Sequence, residues 1–167
     1  MSRAAFALAL ILALALPFSL QSFAAQVTES REIGGEMPFE IPSLHVRGSV
    51  RPVPGRRLYA ITIALGDDAI DDEVARFVLM TTSGTYEPIG AGGRADLIMP
   101  LDRIPIDKEV GEILPSDAIV SLTRRSAASV TLEAGPRGTV AFLYELPADS
   151  SARSLRLPDG RQLLIAP

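Results

Sequence analysis

"RRLYAITIAL", Arg56 to Leu65, decides the fold class. Tyr59, Ile61, Ile63 and Leu65 fall on one side of a period of two, and Ala60, Thr62 and Ala64 on the other. β-Branched and aromatic residues at that spacing suit a pleated strand. Small residues and Thr on the second side suit a strand flanked by others in a sandwich. The expectation is a central strand.

The same reading spreads outward in both directions. Upstream, across the turn residues Pro52, Pro54 and Gly55, Leu44, Val46, Gly48 and Val50 alternate with His45, Arg47 and Ser49. Downstream, "ARFVLMTT" sets Phe77 and Leu79 against Arg76, Val78 and Met80, Ser83-Gly84 reverses the chain, and "TYEPIG" returns. "SVTLEA" pairs Val130 with Leu132, and Gly135-Pro136 makes a turn. "GTVAFLYELP" then puts Val140, Phe142, Tyr144 and Leu146 on one face. "SLRLP", the Asp159-Gly160 turn and "RQLLIAP" form a last hairpin. The pattern predicts an all-β, antiparallel β-sandwich of about seven to nine strands.

The N-terminus carries an address. Met1-Ser2-Arg3 is a short positive region, Ala4 to Leu16 is unbroken apolar chain, and Ser22-Phe23-Ala24 has small residues where signal peptidase needs them. The apolar run is short of the roughly 20 residues of a membrane span. A cleavable signal peptide over 1–24 is expected, with no stable membrane span in the mature form and a periplasmic or secreted destination. Residues 25–43 read as an N-terminal leader or edge segment, and 44–167 as the sandwich. The chain has no cysteine, which excludes thiol catalysis, thiolate zinc sites and iron–sulfur clusters. Its formal charge is −4, with both signs scattered and no basic block, so a nucleic-acid partner is not expected.

"RRLYAITIAL", "RFVLMTTSGTYEP" and "GTVAFLYELPADSSARSLRLPDG" together resemble an immunoglobulin-like domain of unknown function found in many bacterial exported proteins and lipoproteins. The positions that carry the likeness are Gly55, Phe77, Leu79, Gly84, Tyr86, Pro88, Phe142 and Pro147, and it extends from Leu44 to Ile165. Many members carry a lipidated cysteine that this chain lacks. The resemblance implies an immunoglobulin-like sandwich and an exported context, and brings no active-site residues with it.

Four places invite a chemical reading. "GDDAIDDE", Gly66 to Glu73, gathers Asp67, Asp68, Asp71, Asp72 and Glu73. Calcium needs six to eight oxygens converging on one point, usually from alternating ligands around a glycine. Here Ala69-Ile70 splits the acids into two runs, so a solvated loop is expected, with calcium as the alternative. His45, the single histidine, would have to serve any Ser-His-Asp triad, yet its alternation puts it on a polar face away from Ser83 and Ser121. "GAGGR", Gly90 to Arg94, lacks the helix that a phosphate loop requires and reads as a flexible loop. Asp102 and Asp107 imitate a glycosidase pair in a chain without Trp.

The stretch from Gly90 to Asp117 breaks the alternation, with "DKEVGEIL" a candidate helical turn. Within it, Leu97, Ile98, Met99, Leu101, Ile104 and Ile106 are apolar for a loop. They either cap the sandwich core or form an exposed patch. On the second reading Ile98, Met99 and Leu101 are partner anchors, rimmed by Arg94, Asp102 and Arg103. The expected function is a non-enzymatic exported module that binds or supports another envelope protein, with no cofactor. A periplasmic small-ligand or calcium-binding protein and a hydrolase with an unrecognised site are the alternatives.

Overall fold

A computed structural model describes residues 24–41, 46–95, 98–100, 110–113, 120–124 and 130–166. The chain is all-β, a sandwich of antiparallel sheets. Its only helical turn among the described residues is the 3-10 segment Val74–Arg76. The strands are β1 (Gln26–Ile33), β2 (Met37–Ile41), β3 (Val46–Val50), β4 (Arg56–Ala64), β5 (Ile70–Glu73), β6 (Val78–Thr81), β7 (Thr85–Tyr86) and β8 (Gly90–Gly92). They continue as β9 (Met99–Pro100), β10 (Val110–Ile113), β11 (Val120–Arg124), β12 (Val130–Ala134), β13 (Thr139–Pro147), β14 (Ala152–Arg156) and β15 (Gln162–Leu164). That is more strands than the alternation implied, because several are only two to four residues long and too short to show a period.

The largest sheet has the order β1-β4-β13-β8-β9. Two four-stranded sheets, β10-β11-β12-β5 and β15-β14-β6-β7, and a two-stranded hairpin, β2-β3, complete the described fold. β4 and β13 run antiparallel in unbroken register from Thr139 opposite Ala64 to Pro147 opposite Arg56. The reason for their central place is legible residue by residue. Ile61, Ile63, Val140, Phe142, Tyr144 and Leu146 are buried in one apolar cluster with Phe77, Leu79, Leu132 and Leu155 from the four-stranded sheets and their connections. Leu58, Ala60, Ala141 and Leu143 point the other way, into a second cluster with Ile33, Met37, Val50 and Ile98. A strand pair with two apolar faces needs cover on both sides.

An aromatic stack and a buried hydrogen bond tie the larger cluster together. The Phe77 and Phe142 rings stack with centroids 4.6 Å apart and planes 24° apart. The Tyr144 hydroxyl, fully buried, donates to the Phe77 carbonyl at 2.9 Å. Burial pushes its phenol well above the ordinary value, so it stays a proton donor.

Two expectations change here, and a third narrows. Of the two readings of residues 25–43, leader or edge segment, the edge describes Gln26–Ile33, which pairs along β4 at the border of the main sheet, upstream of Leu44. Glu29, Arg31 and Glu32 are exposed along that edge, which discourages further pairing. "GAGGR" is not a flexible loop, since Gly90–Gly92 forms a buried strand between β13 and β9. A strand of Gly-Ala-Gly has no side chains large enough to show a period, which hides it from any reading based on alternation. "DKEVGEIL" contains β10 rather than a helical turn, because Val110–Ile113 pairs with β11.

If the stacked Phe142 is a keystone of the main cluster, Phe142→Ala should cost about 3–5 kcal/mol in urea unfolding. A loss below about 1 kcal/mol would place its ring outside the core.

Candidate functional site

One group of described charges gathers where the chain leaves β4. Gly66, with φ of 60°, turns the chain out of β4, and Asp67 and Asp68 follow it before β5 begins. From the other side comes the β14–β15 turn, where Gly160, with φ of 90°, permits the reversal. The two segments enclose a cleft of about 300 Å3. Asp68, Asp71, Asp72 and Asp159 line it with Arg76 and Arg161, and Ala25 closes one side.

Each arginine ties a carboxylate to the opposite wall. Arg76 Nη1 donates to both oxygens of Asp72, at 2.9 and 2.8 Å, while its Nη2 reaches the Pro158 carbonyl at 3.1 Å. Arg161 Nε donates to Asp159 Oδ2 at 2.6 Å, and its Nη1 to Asp68 Oδ2 at 3.1 Å. The same Asp68 oxygen accepts the Ala25 backbone N–H at 3.0 Å. The Arg161 backbone N–H, donating to Asp159 Oδ1, is the largest influence holding that carboxyl below its ordinary value. Asp159, with the Asp68 carboxylate behind it, raises the Arg161 guanidinium in return.

This arrangement favours anchoring over proton chemistry. A general acid working near neutral pH needs a raised carboxyl, and Asp159 is lowered. "GDDAIDDE" is only partly the solvated loop expected of it: Ile70–Glu73 is an edge strand paired with β12. Alternation along that strand leaves Asp71 and Glu73 exposed while Asp72 turns in toward Arg76. Asp67 meets Arg137 at 3.5 Å across the neighbouring turn. Among the described residues no group of three or more His, Cys, Asp or Glu side chains is placed to hold a metal ion.

The apolar segment is divided. Ile98, offered as a partner anchor, is instead fully buried in the second cluster beneath the main sheet, on the capping side of the two readings. The backbone of Met99 pairs with Ala91, and Arg94 is exposed. Leu97, Leu101, Asp102, Arg103, Ile104, Ile106 and Asp107 lie outside the described residues, as does His45. Ser83, weighed as a triad serine, donates to Ser150 Oγ at 2.7 Å and meets the Tyr86 hydroxyl at 3.0 Å. Hydroxyls of that kind supply no base near neutral pH.

Sequence reading found the acids of the cleft but missed Ala25, Arg76 and Arg161. The Asp159-Gly160 turn was visible, yet nothing in local spacing ties Arg161 to an aspartate 93 positions away. No family model, no curated protein and no solved structure matches the chain. The likeness to immunoglobulin-like exported domains rests on the residues quoted for it.

Two measurements test the anchoring role. Asp68→Ala combined with Asp71→Ala should lower stability by about 1 kcal/mol through the lost Asp68 bonds, where the sequence implied no effect. Millimolar calcium should leave the melting temperature of both proteins unchanged; a rise in the wild type that this pair abolishes would restore the calcium reading. For Asp159, the depressed carboxyl contributes stability that is present above its unfolded value of 3.8 and is lost as pH falls through the lower folded value. The melting-temperature gap between wild type and Asp159→Asn should therefore be steady at neutral pH and close below pH 3.8.

Proposed function

We propose that the protein is exported by a cleavable N-terminal signal and acts in the periplasm or outside the cell. There it serves as a non-enzymatic, immunoglobulin-like module that binds or supports another envelope protein. The observation that carries this reading is the contrast between its sheet edges. β1 presents Glu29, Arg31 and Glu32, and β5 presents Asp71 and Glu73. β7 is only two residues long and is followed by Glu87 and Pro88. Charge, brevity and proline all discourage strand addition.

β15 is also short, at three residues, but it has neither the charge nor the proline of the other edges. Gln162, Leu163 and Leu164 carry no charge, and Leu164 is 81% exposed, well beyond the other exposed large hydrophobic among the described residues, Val53 at 48%. An uncharged edge with an exposed leucine suits strand addition by a partner, in which backbone bonds supply affinity and side chains supply choice. The charged cleft supports the same reading, because its arginines and aspartates hold one another in place.

Leu164→Asp should leave the melting temperature nearly unchanged, as expected of an exposed site. Site-specific photo-crosslinking from position 163 in intact cells should yield a defined envelope adduct that this substitution abolishes. An unaltered adduct in a well-folded variant would remove β15 as the contact edge.

A further inference from the structure

The backbone nitrogen of Ala25 occupies an unusual position for a residue next to an expected cleavage site. Ala25 is 6% exposed, packs in the main apolar cluster, and donates its N–H to Asp68 Oδ2 at 3.0 Å. Ala24, immediately before it, is exposed. Four aspartates line the adjoining cleft against two arginines, which leaves the cleft short of positive charge. We propose that cutting the chain between Ala24 and Ala25 creates an α-ammonium at Ala25 that docks on Asp68 as an ion pair and locks the start of β1 into the fold. The proposal rests on the export reading above and adds to it a structural consequence of processing.

The chemistry is a hydrolysis. Water adds across the Ala24–Ala25 peptide bond: its oxygen goes to Ala24, which departs as a carboxylate, and both its protons go to the Ala25 nitrogen, which becomes an ammonium. A neutral amide with one N–H thereby becomes a cation with three, at hydrogen-bonding distance from a carboxylate that already accepts Arg161 Nη1 at 3.1 Å. Asp68 then bridges two cations, and the excess of acid in the cleft is reduced by one. Cutting a residue earlier or later would move the ammonium away from this oxygen, so the geometry selects Ala25 as the mature N-terminus.

The ordinary value of an α-amine, about 8, lies in the mildly alkaline range. Asp68, Asp71, Asp72, Asp159, Arg76 and Arg161 face the same space. An amine paired with Asp68 has a folded value above its unfolded value of about 8. Its stabilisation is therefore complete below about pH 8 and is lost as pH rises through the folded value.

The test uses protein expressed from the full chain and recovered after export. Its intact mass should correspond to a start at Ala25. The α-amine, followed by NMR, should titrate about one unit above the ordinary value of about 8, and Asp68→Asn should return it to that value. A second variant carries two glycines inserted between Ala24 and Ala25, which keeps the Ala25 N–H but moves the ammonium away. It should melt below the wild type at pH 7, with the gap closing by about pH 10. An exported chain that starts elsewhere overturns the proposal at the processing step, and the mass alone shows it. A chain that starts at Ala25, but whose amine titrates alike in wild type and Asp68→Asn, overturns the pairing and leaves the export reading standing.

Discussion

The pairing of β4 with β13 is the constraint on which the rest of the structure depends. Two nine-residue strands in continuous register bring Ile61, Ile63, Phe142 and Tyr144 to one face and Leu58, Ala60, Ala141 and Leu143 to the other. Burial of apolar surface is worth roughly 25 cal/mol per Å2, so neither face can be left in water. The four-stranded sheets cover the first. The β2–β3 hairpin and the segment around Ile98 cover the second. The hairpin is a marginal structure alone, and it is held because Met37 and Val50 complete that second cluster.

With both faces buried, the remaining choices are made at edges and turns. Exposed ion pairs such as Arg31 with Glu29 contribute little stability individually. Their value lies in where they stand, along strand edges that would otherwise template further pairing. The cleft arginines act differently, because each also bonds to something fixed. Arg76 reaches the Pro158 carbonyl, and Arg161 shares Asp68 with the Ala25 backbone. Segments far apart in sequence are thus fastened across one end of the sandwich. Arg57 does similar work on another side, joining Glu32 to the Ser150 carbonyl.

Such fastening bears on function. Guanidinium groups that hold Asp68, Asp72 and Asp159 are well suited to fixing the segments that line the cleft. The partner contact proposed above is at Leu164 on β15, the most exposed of the large apolar residues among those described.

The sequence by itself determined the fold class, because side chains alternate along a strand and that period is written locally. Phe77, Leu79, Val140, Phe142 and Tyr144 were legible as core on that basis, and all are buried. Alternation also marked β4 as central, through the small residues of its second face. What only the tertiary structure decided was every matter of long-range partnership. Gly90–Gly92 shows no period, yet it is a buried strand because β13 and β9 pair with it on either side. Gln26–Ile33 mixes charge and apolar residues in a way that suits a leader or an edge, and the ladder that β4 offers makes it an edge strand. The union of Ala25, Asp68 and Arg161 was likewise invisible, since a sequence records neighbours along the chain while ion pairs and ladders are set by neighbours in space.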